Sequence, residues 1–194
     1  MSTDKGIEIE THPFEPFIPE NAKILIMGTF PPQPKRWAME FYYPNRTNDF
    51  WFMMGLIFLR DKDALYDRST KLFRLDKIKQ LLNTKGIALN DTGHSVRRLM
   101  GNASDKYLEI VEPVDLKSLL AKMPDCQTLA TTGEKAADTL ALLTESVAPK
   151  MGEMTVSPSG LEIWRMPSTS RAYPLSLEKK SAYYEKMFHH TGII

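Results

Sequence analysis

The stretch from Lys23 to Arg60 constrains this chain more than any other. It opens with a short apolar run, Ile24-Leu25-Ile26-Met27, closed by Gly28. Such a run bounded by glycine predicts a buried strand, here the first of a parallel sheet. A long irregular loop follows, carrying Pro31, Pro32 and Pro34 and then Phe41, Tyr42, Tyr43 and Arg46. From Phe50 to Leu59 no residue is charged, so the helix predicted there is apolar on most faces and must be buried. Asn48 stands where a side-chain oxygen can cap that helix. Ligands of open α/β sheets bind outside the carboxyl ends of the strands, so a loop of this length at that place is a working loop.

The remaining pattern repeats strand, loop and helix. Leu75 to Leu82 has helical spacing and ends near Gly86, and Ile87-Ala88-Leu89 is a second buried strand closed by Asn90-Asp91. Residues 61–74 read as a solvated connector, residues 92–106 as a second polar loop, and residues 1–10 as a flexible N-terminus. Tyr107 to Val111 is a strand or turn, Asp115 to Met123 a helix, Thr128 to Thr132 a third strand and Glu134 to Thr144 an amphipathic helix. Met154 to Val156 and Leu161 to Met166 form a hairpin-like pair around Ser157-Pro158-Ser159-Gly160, and a last helix runs from Ser176 to about His189. The expected fold is α/β: a three-layer αβα sandwich around a mostly parallel four-stranded sheet, one domain over residues 1–194. Parallel strands would bring the loops at 28–48, 90–106, 131–135 and 167–175 to one edge.

Composition narrows the function classes. Net charge is +1, so nucleic-acid binding would rest on local clustering of basic residues rather than on the total. One cysteine, Cys126, excludes an internal disulfide and thiolate zinc or iron–sulfur sites. It reads as a small buried hydrophobe. The N-terminal residues lack the apolar core of a signal peptide, and the apolar run at Phe50 is too short for a bilayer. A soluble cytoplasmic protein without membrane contact is expected. No Walker-type loop or H-x-x-E-H motif appears, so no metal or cofactor is implied.

Taken in order, the motifs resemble those of the uracil-DNA glycosylase superfamily, and among its branches the hypoxanthine-DNA glycosylase-like one. Gly28-Thr29-Phe30-Pro31 resembles the opening motif after the first strand. Tyr42-Tyr43, Asn48 and Phe50-Trp51 are similar to that branch's tyrosine pair and Asn-x-Phe-Trp, and Gly86-Ile87-Ala88-Leu89 with Asp91 to its second strand. Asp115-Leu116 with Leu119-Leu120 resembles its next helix, Thr132-Gly133 with Ala136 its Asn-Gly and helix alanine, and Met166-Pro167-Ser168-Thr169-Ser170 the motif that enters DNA. Three positions depart from the pattern. Thr132 stands where the branch has asparagine, Arg171 where it has proline, and a histidine before the Pro-Arg-Asn run is replaced by Pro44-Asn45-Arg46-Thr47.

The resemblance implies a monofunctional DNA glycosylase of base-excision repair. It would hydrolyse the N-glycosidic bond of a flipped uracil or hypoxanthine, or of a mismatched base, in double- or single-stranded DNA, as a monomer. Asn48 would then orient the water, although asparagine there also reads as a plain helix cap. Asp91 would stabilise the sugar or bind the water, or simply bond turn amides. Phe30 and Tyr43 are the stacking candidates, and both could equally be packing residues. Backbone amides of Gly28, Thr29 and Phe30 would take charge from the leaving base, and Thr132 and Gly133 would read its edge. Pro167, Ser168, Thr169, Ser170 and Arg171 would hold phosphates, with Lys35, Arg36, Arg97 and Arg98 as a basic rim. Two other readings stay open: a non-catalytic binder of damaged or single-stranded nucleic acid, and a hydrolase of free nucleosides.

Overall fold

The computed structural model describes residues 7–100 and 104–194. In chain order the elements are β1 (Ile9–Thr11), β2 (Ile24–Gly28), α1 (Phe50–Leu59), β3 (Tyr66–Asp67), β4 (Leu72–Phe73), α2 (Leu75–Lys85), β5 (Ile87–Asp91), β6 (Gly93–Arg98) and β7 (Leu108–Pro113). Then follow α3 (Leu116–Ala121), β8 (Thr128–Thr131), α4 (Glu134–Leu143), β9 (Met154–Val156), β10 (Glu162–Arg165) and α5 (Leu177–His190). The main sheet runs β5-β2-β8-β10-β9, parallel except for β9, which pairs antiparallel to β10.

Strand periodicity divides the core in two. Ile24 and Ile26 of β2 face one layer, with α1, α2 and α5 packed against them. Leu25 and Met27 face the other, with Leu116 and Leu119 of α3 and Leu140 of α4. This is the three-layer αβα sandwich with both sheet faces covered, which is why the strands read as unbroken apolar runs. Helix α1 buries Phe50, Trp51, Met53 and Met54 almost completely. Burying each such side chain stabilises by roughly 1.5–3 kcal/mol, against about 1 kcal/mol for a good cap, so packing and not capping holds this helix.

The structure corrects four sequence expectations. The main sheet has five strands, because β9 joins its edge. Residues 61–74 are more than a connector: they hold the β3–β4 hairpin, and Leu65 and Phe73 are buried in the core. Within the supposed polar loop at 92–106, β6 forms a second sheet with β1 and β7. Its polarity hid it, since Arg98 lies buried with its charge met by Glu10. The same pairing orders Ile9 and Glu10, which fall within the terminus expected to be flexible; residues 1–6 lie outside the described residues.

Candidate functional site

The carboxyl ends of β2, β5 and β8 open into a cleft of about 1130 Å³. That exceeds the roughly 300–1,000 Å³ of pockets that enclose small ligands and suits a groove with a deeper recess. Its walls come from the loops at 28–48, 104–106, 132–138 and 168–174, with Asp91 between them. A smaller hollow of about 210 Å³ lies between α1 and α5, away from these loops.

Gly28 ends β2 beside Asp91, the last residue of the paired strand β5. The Gly28 N–H donates to Asp91 Oδ1 at 3.1 Å, and a Cβ on residue 28 would lie 2.8 Å from that oxygen. Only glycine lets the carboxylate sit there. Asp91 Oδ2 is 2.8 Å from His12 Nε2, and both side chains are buried. Sequence reasoning missed His12, which reaches Asp91 across 79 residues from a proline-flanked segment with no local signal.

Tyr43 adopts φ +52, a left-handed conformation that costs a non-glycine residue about 1–2 kcal/mol. Stacking offsets that cost: its ring lies on Phe50, centroids 3.9 Å apart and planes 15° apart. Its hydroxyl is 3.2 Å from Thr132 Oγ1, so the two polar groups nearest the β8 end form one pair. Burial, then the charge of Asp91, pushes both the Tyr42 and Tyr43 hydroxyls well above the usual tyrosine range, leaving them neutral. The Tyr42 hydroxyl, with one proton to donate, lies 3.0 Å from both Asn90 Oδ1 and the Glu15 carbonyl, in the wall behind the cleft.

Asn48 is half-buried, and its Oδ1 accepts the Phe50 N–H at 2.9 Å, while Asp49 holds the N-cap position without a side-chain cap bond. The cap bond and a place in the cleft wall therefore coexist, because a carbonyl oxygen keeps a second lone pair. Asn48 also forms an isolated bridge with Ser170, and the Asp49 N–H donates to the Thr169 carbonyl at 2.7 Å. The two loops are locked together from below. Lys180 of α5, fully buried, donates to Asp49 Oδ2 at 2.9 Å and to the Ser170 carbonyl at 2.8 Å. Arg171 Nε donates to Asp49 Oδ1 at 3.0 Å, and its guanidinium lies over Phe52.

Of the residues singled out in the sequence, Gly28, Thr29, Phe30, Arg36, Tyr43, Asn48, Asp91, Thr132, Gly133, Ser168, Thr169, Ser170 and Arg171 line this one cleft. Four others do not. Arg98 is buried, bonded to Glu10 and to the Pro31 carbonyl, so it braces the first loop instead of forming a rim. Arg97 pairs with Glu109 along the β6–β7 ladder, and Lys35 is exposed on the 3₁₀ turn at Pro34–Arg36 outside the lining. Pro167 is buried, its carbonyl accepting from Tyr184. Lys106 and Lys135 take the rim positions with Arg36 and Arg171. Phe30 lines the cleft while Arg98 lies 5.6 Å over its ring. The Ser168 and Ser170 hydroxyls accept from the amides of Ser170 and Ala172, which shapes the turn.

Asp105 also faces the cleft and accepts from Thr29 Oγ1 at 3.0 Å. The residue is exposed at its surface, yet its carboxyl is ringed by cleft walls. That enclosure raises its pKa above the usual carboxylate value, and the Asp91 charge adds to the effect. Among the described residues no group of three or more His, Cys, Asp or Glu is placed to hold a metal ion, and no helix is long and apolar enough to cross a membrane.

No protein-family model and no curated protein matches this chain. A solution NMR structure from Methanosarcina acetivorans, of a protein provisionally named a uracil DNA glycosylase, is similar to it with a TM-score of 0.64 and 23% identity. The match covers 95% of this chain and 99% of that one. It shows the shared fold: an αβα sandwich whose mostly parallel sheet opens at its carboxyl edge.

Proposed function

We propose that this protein is a DNA glycosylase of the uracil-DNA glycosylase superfamily, within its hypoxanthine-DNA glycosylase-like branch, acting in base-excision repair on a flipped uracil or hypoxanthine. The observation that carries the reading is the meeting of Asn48, Asp91 and Thr132 in one cleft, although they come from three separate segments. These are the positions where the ordered motifs resemble the superfamily, and the fold shared with the Methanosarcina acetivorans protein supports the reading.

The chemistry follows from the geometry. Asn48, held by the Phe50 amide, orients a water without any need for a shifted pKa. The water oxygen bonds C1′ as the C1′–N bond breaks; the bonding pair leaves with the base, and the proton that the water sheds ends on the base by way of solvent. Asp91 stabilises the positive charge that develops on the sugar; because it occupies the Gly28 N–H, the Thr29 and Phe30 amides are the ones left to disperse charge on the base. Tyr43 and Thr132 present hydroxyls to the base edge, and Phe30 a ring face. Stacking of this kind gives about 1–3 kcal/mol, comparable with the few kcal/mol that flipping costs. Arg36, Lys106, Lys135 and Arg171 receive the phosphates.

The test is a set of labelled duplex and single-stranded oligonucleotides, each with one uracil, hypoxanthine, xanthine or mismatched thymine, followed by alkaline cleavage of abasic sites. Release of a base from one of them supports the reading and names the substrate. Salt-dependent binding with no release from any would replace it with a damage-binding module, and activity confined to free nucleosides with a nucleoside hydrolase.

A further inference from the structure

Behind the cleft wall, His12 and Asp91 form a buried pair that the reaction just outlined leaves half-used. Their side chains are only 6% and 7% exposed, and Nε2 to Oδ2 is 2.8 Å. The other ring nitrogen, Nδ1, lies 3.2 Å from the Phe14 N–H and 3.0 Å from the Phe14 carbonyl. A neutral ring accepts from that N–H while Nε2 donates to Asp91. A protonated ring donates to that carbonyl and still donates to Asp91. One site therefore accommodates both charge states without moving the ring.

The rings of Phe14, Phe30 and Tyr42 surround the imidazole at 5.2–5.9 Å. The charged groups around it are few. Asp91 is in direct contact, Arg98 lies across the Phe30 ring with its charge met by Glu10, and Asp105 is close enough to interact electrostatically with Asp91. Glu15 stands behind the neutral Tyr42 hydroxyl, whose O–H points to its backbone carbonyl at 3.0 Å.

We propose that His12 is a positioning residue that sets the charge of the pair at the cleft wall and through it the rate of base release. With the ring neutral, Asp91 presents a full negative charge to the sugar as it becomes cationic. With the ring protonated, the pair is close to neutral and that stabilisation weakens. Imidazole is the side chain whose charge ordinarily changes between about pH 5 and 8, so the device would slow the enzyme on acidification. The inference rests on the glycosylase reading.

Single-turnover base release is measured from pH 5 to 8 for the wild type, His12→Gln and His12→Leu, with DNA dissociation constants and melting temperatures alongside. Glutamine keeps a neutral donor toward Asp91 and cannot gain a proton. The wild-type rate should fall toward low pH, and the Gln variant should lose that fall. The Leu variant should be slower than wild type by roughly a hundredfold at pH 8, the scale of a 1 Å misplacement, and should show no acid limb, with DNA affinity unchanged. A Gln variant that retains the wild-type acid limb, or a Leu variant as fast as wild type, overturns the proposal. Nitrogen NMR of the His12 ring separates this from failure of the glycosylase reading. If Asp91→Asn leaves the His12 titration where it was, the pair is uncoupled and this inference fails alone. If no oligonucleotide loses a base while the titration moves, the pair is coupled but the glycosylase reading fails, and with it the claimed effect on rate.

Discussion

Replacing Lys180 with methionine removes a fully buried ammonium and leaves its two acceptors behind. Breaking a buried ion pair from one side costs about 3–5 kcal/mol, because the remaining charge is stranded. Asp49 still has Arg171, but that side chain is 54% exposed and a pair of this kind contributes only about 0–1 kcal/mol. The Ser170 carbonyl loses a bond that contributes about 1 kcal/mol or more, since its donor was charged. The low end of the range, about 3 kcal/mol, is the expected loss, because Asp49 itself keeps 11% side-chain exposure. For a chain of this length that is a fall of about 6–12 °C in melting temperature. Urea unfolding of Lys180→Met, Asp49→Leu and the double variant forms a thermodynamic cycle, and the double variant should recover much of the loss because apolar residues replace the whole pair. A Lys180→Met loss below about 1 kcal/mol, or strict additivity in the cycle, would refute the claim that this cluster fastens the two cleft loops.

Three further outcomes follow from individual contacts. Gly28→Ala should displace the Asp91 carboxylate, since the new Cβ would sit 2.8 Å from Oδ1, costing about 1–3 kcal/mol of stability and most of the base-release rate. Thermal melting and the oligonucleotide assay read the two effects separately. Asp105 has a folded-state pKa raised by enclosure, so it binds its proton more tightly when folded, and its contribution to stability is present at low pH and lost as pH rises through that value. Asp105→Asn should therefore stabilise the protein at pH 7 and lose the advantage below the ordinary carboxylate range, as melting curves across pH would show. Burial pushes the Cys126 thiol up to about 11, so thiol reagents at pH 8 should label it only after unfolding, and fast labelling of the folded protein would contradict its place in the core.

How much of this was legible in the sequence depended on how local the cause was. Helix α1 was readable to its ends, because an uncharged run of this length between Asp49 and Arg60 admits little else. The parallel strands announced themselves through burial on both faces, and their order along the chain placed the working loops at one edge. Strand β6 was hidden because Val96 is its one buried apolar side chain, while Arg98 is buried through a long-range ion pair with Glu10. The edge strand β9 was seen as half of a hairpin but not as a fifth member of the sheet. Within the site, Asn48 and Asp91 stood out as polar residues at the ends of apolar elements. The residues that brace the site did not, since His12 and Lys180 lie 79 and 131 residues from Asp91 and Asp49, the carboxylates they meet. Lys180 did leave one trace: it opens the buried stripe of α5 that continues through Tyr184, Met187 and Phe188, where helical spacing asks for an apolar residue.

The measurement that bears most directly on the central claim is the single-turnover rate of base release by Asn48→Ala beside wild type. It should be run on the oligonucleotide that the wild type processes, with the dissociation constant for the same DNA determined in parallel. If Asn48 positions the attacking water, the variant should bind with nearly unchanged affinity and release the base more slowly by two or more orders of magnitude, the scale of a lost positioned catalytic group at about 10²–10⁴-fold. A variant that folds, binds and releases the base within a factor of a few of wild type would mean that Asn48 is a helix-capping residue alone and that the water is held elsewhere.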